Sequence, residues 1–256
     1  MTAVLVTGGS GRLGRVVLEK LVEAGYEVRA TSRTARPAGD GGVRWMVADL
    51  TSGAGVAQAV AGAEVIVHLA SAPYKGRYTR RVELDGTSAL LAAAREAGVR
   101  HLIYVSIVGV DRVPWGYFRT KLQAERLVQG GGVPWTIVRA TQFHEFVELA
   151  LKGMARVGVV VADPGVLVQP VDVRDLAGHL VALAGRGAGG EVEEYGGPES
   201  LTMAEAATSW LRARGLRRPV LRLRLPGGMG RAARAGLLTT KARSGKITWE
   251  DYLRRS

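Results

Sequence analysis

Gly8, Gly11 and Gly14 recur every three residues in Thr7-Gly8-Gly9-Ser10-Gly11-Arg12-Leu13-Gly14, directly after the apolar run Ala3-Val4-Leu5-Val6. That spacing can wrap a pyrophosphate. The first glycine lets the chain turn sharply, the second leaves room for phosphates against the backbone, and the third lets a following helix pack close to the strand. The helix N-terminus then offers unpaired N–H groups and the positive end of its dipole to the anion. Three spaced glycines alone are a weak signal. Here they stand between a buried strand and an amphipathic helix expected from about Arg15 to Ala24, the context the motif requires.

The next strand ends bear on which dinucleotide fits. The second expected strand, Glu27–Ser32, ends Arg29-Ala30-Thr31-Ser32-Arg33 and lacks the acid that would accept ribose hydroxyls. Arg33, with Ser32 and Arg12, instead suits a 2′-phosphate, which a guanidinium pairs bidentately. NADP(H) is therefore expected in preference to NAD(H). Asp49 and Leu50, after the third strand, would meet the adenine, Asp49 accepting from its amine and Leu50 packing on the ring. A turn cap is the competing role for Asp49. His68-Leu69-Ala70-Ser71 closes the next strand, where backbone would line the cofactor, with His68 itself a core residue. The candidate cofactor contacts are thus Gly8, Ser10, Gly11, Arg12, Leu13, Gly14, Arg33, Asp49, Leu50, Ala70 and Ser71.

Strand-like and helix-like segments alternate around these positions. After the first strand and helix come strands at Glu27–Ser32, Arg44–Val47, Val65–Leu69, His101–Ser106 and Trp135–Arg139. Helices are expected at Ala54–Val60, Thr79–Ala97 and Tyr117–Gln129. Near-continuously apolar strands joined by helices predict an α/β fold, a Rossmann-type doubly wound parallel sheet. Beyond Arg139 the rhythm loosens. Helices are expected at Phe143–Ala155 and Val171–Ala184, the second opening extended and capped near Asp172, and at Thr202–Arg214, where Thr202 and Glu205 have capping-box spacing. Val157–Val161 reads as a strand. Leu221, Leu223 and Leu225 alternate with Arg222 and Arg224, which predicts a strand with one wet face. Residues 1–140 are expected to form the dinucleotide-binding domain. Residues 141–256 are expected to be mostly a small substrate-binding region, partly returning to the core domain.

Composition narrows the classes. The 256 residues are 47% hydrophobic, enough for a full core, and include no cysteine. Disulfides, thiolate metal sites and catalytic thiols are excluded. His68, His101, His144 and His179 are too scattered to share a metal on one helix turn, so no metal site is expected. No apolar run is long enough to span a bilayer, and the N-terminus lacks the basic start of a signal peptide, so a cytoplasmic protein without a membrane partner is expected. The net charge is +12, of which the stretch from Arg212 to Ser256 carries +11. That stretch could attract an acidic partner, but aromatic interleaving is missing, and nucleic acid is not the expected partner.

Taken together, the motifs resemble a known family. The glycine loop, Asp49-Leu50, His68-Leu69-Ala70, Asp85-Gly86-Thr87, and Tyr104-Val105-Ser106 followed by Tyr117-x-x-x-Lys121 look like the atypical, extended short-chain dehydrogenase/reductases. The nearest likeness is to their NmrA-like, NAD(P)H-binding subgroup. Ser106-Ile107-Val108-Gly109-Val110-Asp111, Arg139-Ala140-Thr141-Gln142-Phe143-His144, Val171-Asp172-Val173-Arg174-Asp175-Leu176-Ala177, Gly197-Pro198-Glu199 and Ile247-Thr248-Trp249-Glu250 extend the resemblance over nearly the whole chain.

The resemblance implies roles. Tyr117 would donate a proton to a carbonyl oxygen. Lys121, one helical turn on, would lower the phenol pKa and bind the nicotinamide ribose. Ser106 would hydrogen-bond the carbonyl as hydride arrives. Glu83 departs from the pattern, standing where extended members often carry Asn, three residues before Gly86. Gln142, Phe143 and His144 follow the sixth strand at the edge where ligands bind; Gln142 and His144 would orient substrate, and His144 is an alternative acid. Trp115 and Tyr74, in loops, would wall an apolar pocket for a carbonyl or quinone-like small molecule. The implied activity is NADPH-dependent reduction. The alternatives are an NADP(H)-binding redox sensor that catalyses nothing, or an isomerase or cyclase reusing the fold. The oligomeric state stays open.

Overall fold

Five residues, Ala3–Thr7, all buried, form the first strand, β1, of a seven-stranded sheet. The computed structural model describes residues 1–36, 41–73 and 75–255; Tyr74, a candidate pocket residue, lies outside the described residues. The other strands are β2 (Glu27–Ser32), β3 (Val43–Val47), β4 (Val65–His68), β5 (His101–Ile107), β6 (Trp135–Ala140) and, after a long interval, Glu191–Tyr195. The sheet is parallel, ordered β3-β2-β1-β4-β5-β6 with Glu191–Tyr195 beside β6. Val4 pairs with Val28 on one side and with Val65 on the other, so strand order reverses at β1. Such a reversal opens a crevice at the carboxyl ends of β1 and β4, where ligands bind in open α/β sheets. The expected Rossmann-type architecture is the observed one.

The chain divides into two compact units. The first is Met1–Ser106, Arg119–Val138 and Ala177–Glu193; the second is Ile107–Phe118, Arg139–Leu176 and Glu194–Ser256. In the first, Leu5, Ile66, Leu90, Leu102, Tyr104 and Ile137 share one buried core. Its helix Arg12–Glu23 starts three residues before the expected point, because the extended backbone of Gly11 runs directly into it. The helical run from Arg77 to Glu96 is interrupted by a π-turn, Arg81–Asp85. No sequence signal announced that turn.

In the second unit Val147, Leu151, Trp210, Trp249 and Tyr252 form the core. Glu148 is buried among them and accepts from Trp210 Nε1 at 3.1 Å, Tyr252 Oη at 2.7 Å and Arg214 Nη2 at 2.8 Å. Burial alone would raise its pKa, but these donors and Lys152 outweigh burial and hold it at about 2. Arg234 likewise pairs with the buried Asp163 at 2.5 Å. Part of the basic C-terminal stretch therefore serves internal carboxylates.

Four elements differ from expectation. Glu191–Tyr195 was not anticipated, because three glutamates in five residues hide a strand pattern. The alternating leucines form strand only at Val220–Arg222, paired with Val160–Ala162, and Leu221 and Leu223 face outward, 45% and 54% exposed. Pro219 and Pro226 bracket the segment and the partner strand is only three residues long, so the alternation never meets a core. The short helices Gly227–Arg234 and Trp249–Arg255 were also unanticipated.

Thr202 caps the helix Met203–Ala213 and closes the expected capping box with Glu205. Thr202→Ala should lower stability by about 1 kcal/mol in urea unfolding. Glu205→Ala should cost a comparable amount, and the double variant less than the sum, because one reciprocal pair is lost. Strict additivity would contradict the box.

Candidate active site

The glycine loop has the geometry its spacing implies. Gly8 has φ +70°, and a Cβ there would lie 2.7 Å from the Ala70 nitrogen, at the end of β4. A Cβ on Gly14 would lie 2.7 Å from Gly9 Cα, so only glycine lets the helix sit against the loop. Gly11 caps that helix without any side-chain hydrogen bond, and the first turn contains no acid. The helix N–H groups are therefore left for an anion. Ser10, Gly11 and Arg12 are exposed around this opening, while Leu13 and Gly14 are buried beneath it. These features fit a dinucleotide pyrophosphate.

At the adjoining strand ends, Arg33 donates through Nη1 to Tyr78 Oη at 2.9 Å. Asp49 Oδ1 accepts from the Thr51 backbone N–H at 2.9 Å and from its hydroxyl at 2.8 Å, and these two bonds lower its pKa. Asp49 thus caps the turn it begins. Leu50 is buried, against Gly86, where a Cβ would come within 3.0 Å of Leu50 Cβ.

A chain of buried hydrogen bonds ties β1, β4 and the π-turn together. Thr87 Oγ1 donates to the Glu83 carbonyl at 2.7 Å, so it must accept from His68 Nε2, 3.0 Å away. His68 Nδ1 is then an acceptor, and Thr7 Oγ1 donates to it at 2.6 Å. The lone pairs of Thr7 Oγ1 take the Leu69 and Ala70 N–H groups at 3.2 and 3.3 Å. Every donor has an acceptor, and His68 is neutral with its proton on Nε2. Burial, reinforced by the charge of Lys121, lowers its pKa to about 4. His68 is a framework residue, as expected.

Lys121 comes from the helix Gly116–Gly130 and is 3% exposed. Its Nζ donates to the Val105 carbonyl at 2.9 Å, lies 3.4 Å from Glu83 Oε2 and sits 4.0 Å above the Tyr104 ring. Glu83 is fully buried. Its Oε1 accepts a short hydrogen bond from Ser71 Oγ, and its Oε2 accepts from Tyr104 Oη at 3.2 Å. Burial alone would raise the Glu83 pKa, but Lys121, the Ser71 bond and His68 together lower it. The carboxylate and the ammonium form a buried ion pair. The sequence flagged Glu83 as a departure without indicating this pairing, and it did not flag Tyr104 as a contact of Lys121.

Ser106, at the end of β5, is buried, and its Oγ has no hydrogen-bond partner among the described residues. Tyr117 is half-buried in the first turn of the Lys121 helix, its ring 6.4 Å from that of Phe118. Trp115 is exposed, its ring 5.3 Å from that of Phe118.

The second unit holds Gln142, Phe143 and His144. Gln142 donates to the Leu238 carbonyl at 2.7 Å and accepts from the Gln169 N–H at 3.1 Å, so both ends of its amide are engaged in the framework. Phe143 is half-buried at the helix N-cap. His144 is fully buried, not at an open edge, with ring centroids 4.9 Å from Tyr252 and 5.6 Å from Trp249. Its Nδ1 is 3.5 Å from Asp172 Oδ2, a contact that does not meet hydrogen-bond geometry. That carboxylate is already held by Arg174 through Nε at 2.8 Å and Nη2 at 2.6 Å. Among the described residues no cluster of three or more His, Asp or Glu could hold a metal, and no helix is long and apolar enough to cross a membrane.

Comparison with known proteins gives three likenesses besides a family match. The sequence model of a family described as NAD(P)H-binding matches residues 8–183. The (4-alkanoyl-5-oxo-2,5-dihydrofuran-3-yl)methyl phosphate reductase of Streptomyces griseus is 33% identical over 221 residues, 83% of this chain and 74% of that protein. The 3-beta-hydroxysteroid dehydrogenase of Mycolicibacterium neoaurum is 33% identical over 155 residues, 50% of this chain; the chain spans only 42% of that relative's length. A crystal structure of an NADPH-dependent quinone oxidoreductase of Escherichia coli, complexed with NADPH, superposes with a TM-score of 0.82. It covers 98% of this chain and 99% of that one at 20% identity, a likeness of fold.

The His68 network has a pH signature. The folded pKa of about 4 lies below the ordinary 6.5, so the contribution of neutral His68 is complete above pH 6.5 and is lost as pH falls toward 4. At about pH 5 the loss should reach about 2 kcal/mol relative to about pH 8. Urea unfolding of His68→Gln should show a pH dependence weaker by about that amount. His101, lowered to about 4 by burial and then Arg186, keeps its own share in the variant. An unchanged pH dependence in His68→Gln would contradict the neutral network.

Proposed function

The chain belongs to the NAD(P)H-binding family and is an NAD(P)H-dependent oxidoreductase of the short-chain dehydrogenase/reductase type; from that premise we propose that it uses NADPH to reduce a carbonyl or quinone group of a small molecule, in the cytoplasm. The observation that carries the reading is Ser106. Its hydroxyl is buried with no partner among the described residues, at the end of β5 and next in sequence to Val105, whose carbonyl holds Lys121. Leaving a buried polar group unpaired costs about 1–3 kcal/mol, a cost that makes sense where an incoming oxygen will pair it.

The residues divide the work as follows. The loop from Gly8 to Gly14, with Ser10, Gly11, Arg12 and Leu13, would hold the pyrophosphate. Leu50 and the backbone of Ala70 and Ser71 would flank the adenosine and the nicotinamide side, with Asp49 at the adenine. Arg33 and Arg12 would take the 2′-phosphate, with the Tyr78 hydroxyl steadying Arg33. Bound NADPH supplies the hydride. Ser106 donates to the substrate oxygen, and Tyr117 gives it a proton. Lys121 follows Tyr117 by one helical turn, and its ammonium would lower the phenol pKa and bind the cofactor ribose. Trp115 and Phe143 suit an aromatic or quinone-like substrate body.

Two measurements test this reading. NADPH should bind more tightly than NADH by about 1.5–3 kcal/mol, the value of one charge-assisted hydrogen-bonded pair, and Arg33→Ala should erase most of that margin. Titration of both cofactors checks it; equal affinities in the wild type would contradict the assignment. Tyr117→Phe should lower kcat by about 10²–10⁴-fold while leaving NADPH affinity nearly unchanged. Turnover indifferent to Tyr117→Phe would remove Tyr117 as the acid.

A further inference from the structure

The helix His144–Arg156 buries one side, with Val147, Leu151 and Ala155 in the core of the second unit, and leaves an apolar stripe on the other. Phe146, Leu149 and Val157 are 47%, 60% and 79% exposed, and Ala150 and Gly153 lie open between them. These five positions follow one another at helical spacing and share one face. A Cβ on Gly153 would meet nothing within 4 Å, so the stripe has a notch there and a knob at Phe146, two turns before it. Soluble proteins rarely leave a contiguous apolar strip to water unless something covers it.

The charges beside the stripe point to what covers it. Glu145, Lys152 and Arg156 line one flank. Lys152 is occupied by Glu148 at 3.0 Å. Glu145, at the start of the helix, has no ion pair among the described residues, and its buried Oε2 has no hydrogen-bond partner. Arg174, the cation whose charge reaches it, is committed to Asp172. Arg156, in the last turn, is exposed and also without an ion pair among the described residues. About 16 Å of helix separates this acid from this base, so they cannot meet within one molecule. In a second copy laid antiparallel across the stripe they do.

We propose that the stripe is a self-association surface, on which two copies of this chain pair through antiparallel His144–Arg156 helices about a two-fold axis at Ala150. Glu145 then faces Arg156 of the other copy, Phe146 enters the notch at Gly153 of the other copy, and symmetry repeats both contacts. The two contacts agree on the axis: the pairs Glu145–Arg156 and Phe146–Gly153 are both centred within half a residue of Ala150. Antiparallel packing also sets the helix dipoles head to tail, whereas a parallel pair would bring like charges together. A helix about 20 Å long offers roughly a few hundred Å² per copy, less than the roughly 800 Å² per partner of a standard complex. The association is therefore weak, dissociating on the order of 10–100 µM. It is independent of the reductase reading.

Sedimentation velocity over about 5–500 µM reads the association, and the wild type should pass from monomer towards dimer across that range. Leu149→Asp, at an exposed position, should keep its circular dichroism and weaken the dimer about tenfold or more. Arg156→Glu should weaken it about fivefold, and mixing that variant with Glu145→Lys should restore association, because the mixed pair regains both charge contacts. The chain has no cysteine, so a nitroxide on Val157→Cys gives a single label. Mixed with ¹⁵N-labelled wild type, it should broaden the amides of Glu145 and Phe146 in the copy without the nitroxide, and this readout stands whether or not Glu145→Lys folds. A wild type that stays monomeric throughout overturns the proposal, whatever else covers the stripe. So does a dimer indifferent to Leu149→Asp, or broadening that misses the start of the helix.

Discussion

A charged lysine in a place nearly closed to water is the constraint around which the first unit is organised. Lys121 must be paired, or its burial would cost several kcal/mol. The pairing is supplied from separate elements: the Val105 carbonyl and the Tyr104 ring from β5, and the Glu83 carboxylate from the π-turn. Glu83 in turn needs donors, which come from Tyr104 and Ser71. The Glu83 carbonyl, in the π-turn, accepts from the Thr87 hydroxyl one turn on. Each polar group thus creates the need for the next, and the result is a rigid support behind one ammonium.

That support joins the nucleotide loop. Thr7, the last residue of β1, anchors His68 and the backbone of Leu69 and Ala70, and Gly8 begins the turn immediately after it. Close contact of Gly8 with Ala70 leaves no room for a side chain. The strand ends where the sheet order reverses are therefore held to one another by hydrogen bonds and by van der Waals contact. An open helix N-terminus at Gly11 and a pinned ammonium at Lys121 are two consequences of one framework, which suits a site that must hold a dinucleotide along its length.

Much of this was legible in the sequence. Gly8, Gly11 and Gly14 announced the loop because glycine alone satisfies a positive φ and a close helix contact. Thr202 and Glu205 announced their cap because a reciprocal bond needs only those types at that spacing. The buried partners were harder. Glu83 reads only as a departure from the family pattern until the π-turn and a lysine from a helix nearly forty positions later surround it. His144 looked available because it follows a strand end, yet Trp249 and Tyr252, more than a hundred residues on, enclose it. In the basic C-terminal stretch, whose role the sequence leaves open, Arg214 and Arg234 serve Glu148 and Asp163. Glu191–Tyr195 escaped notice because its glutamates carry no apolar period. For Glu83, His144, Arg214 and Arg234 the deciding neighbour is remote in sequence.

The central claim is that these groups serve hydride transfer rather than cofactor sensing. Isotope transfer tests it most directly. NADPH carrying deuterium at nicotinamide C4 is incubated with the wild-type protein and an aldehyde panel, and the alcohol is analysed by mass spectrometry and NMR. The expected result is deuterium at the former carbonyl carbon, delivered from one face of the nicotinamide only. Tight NADPH binding with no deuterium in any product would contradict it and leave a protein that binds the cofactor without using it.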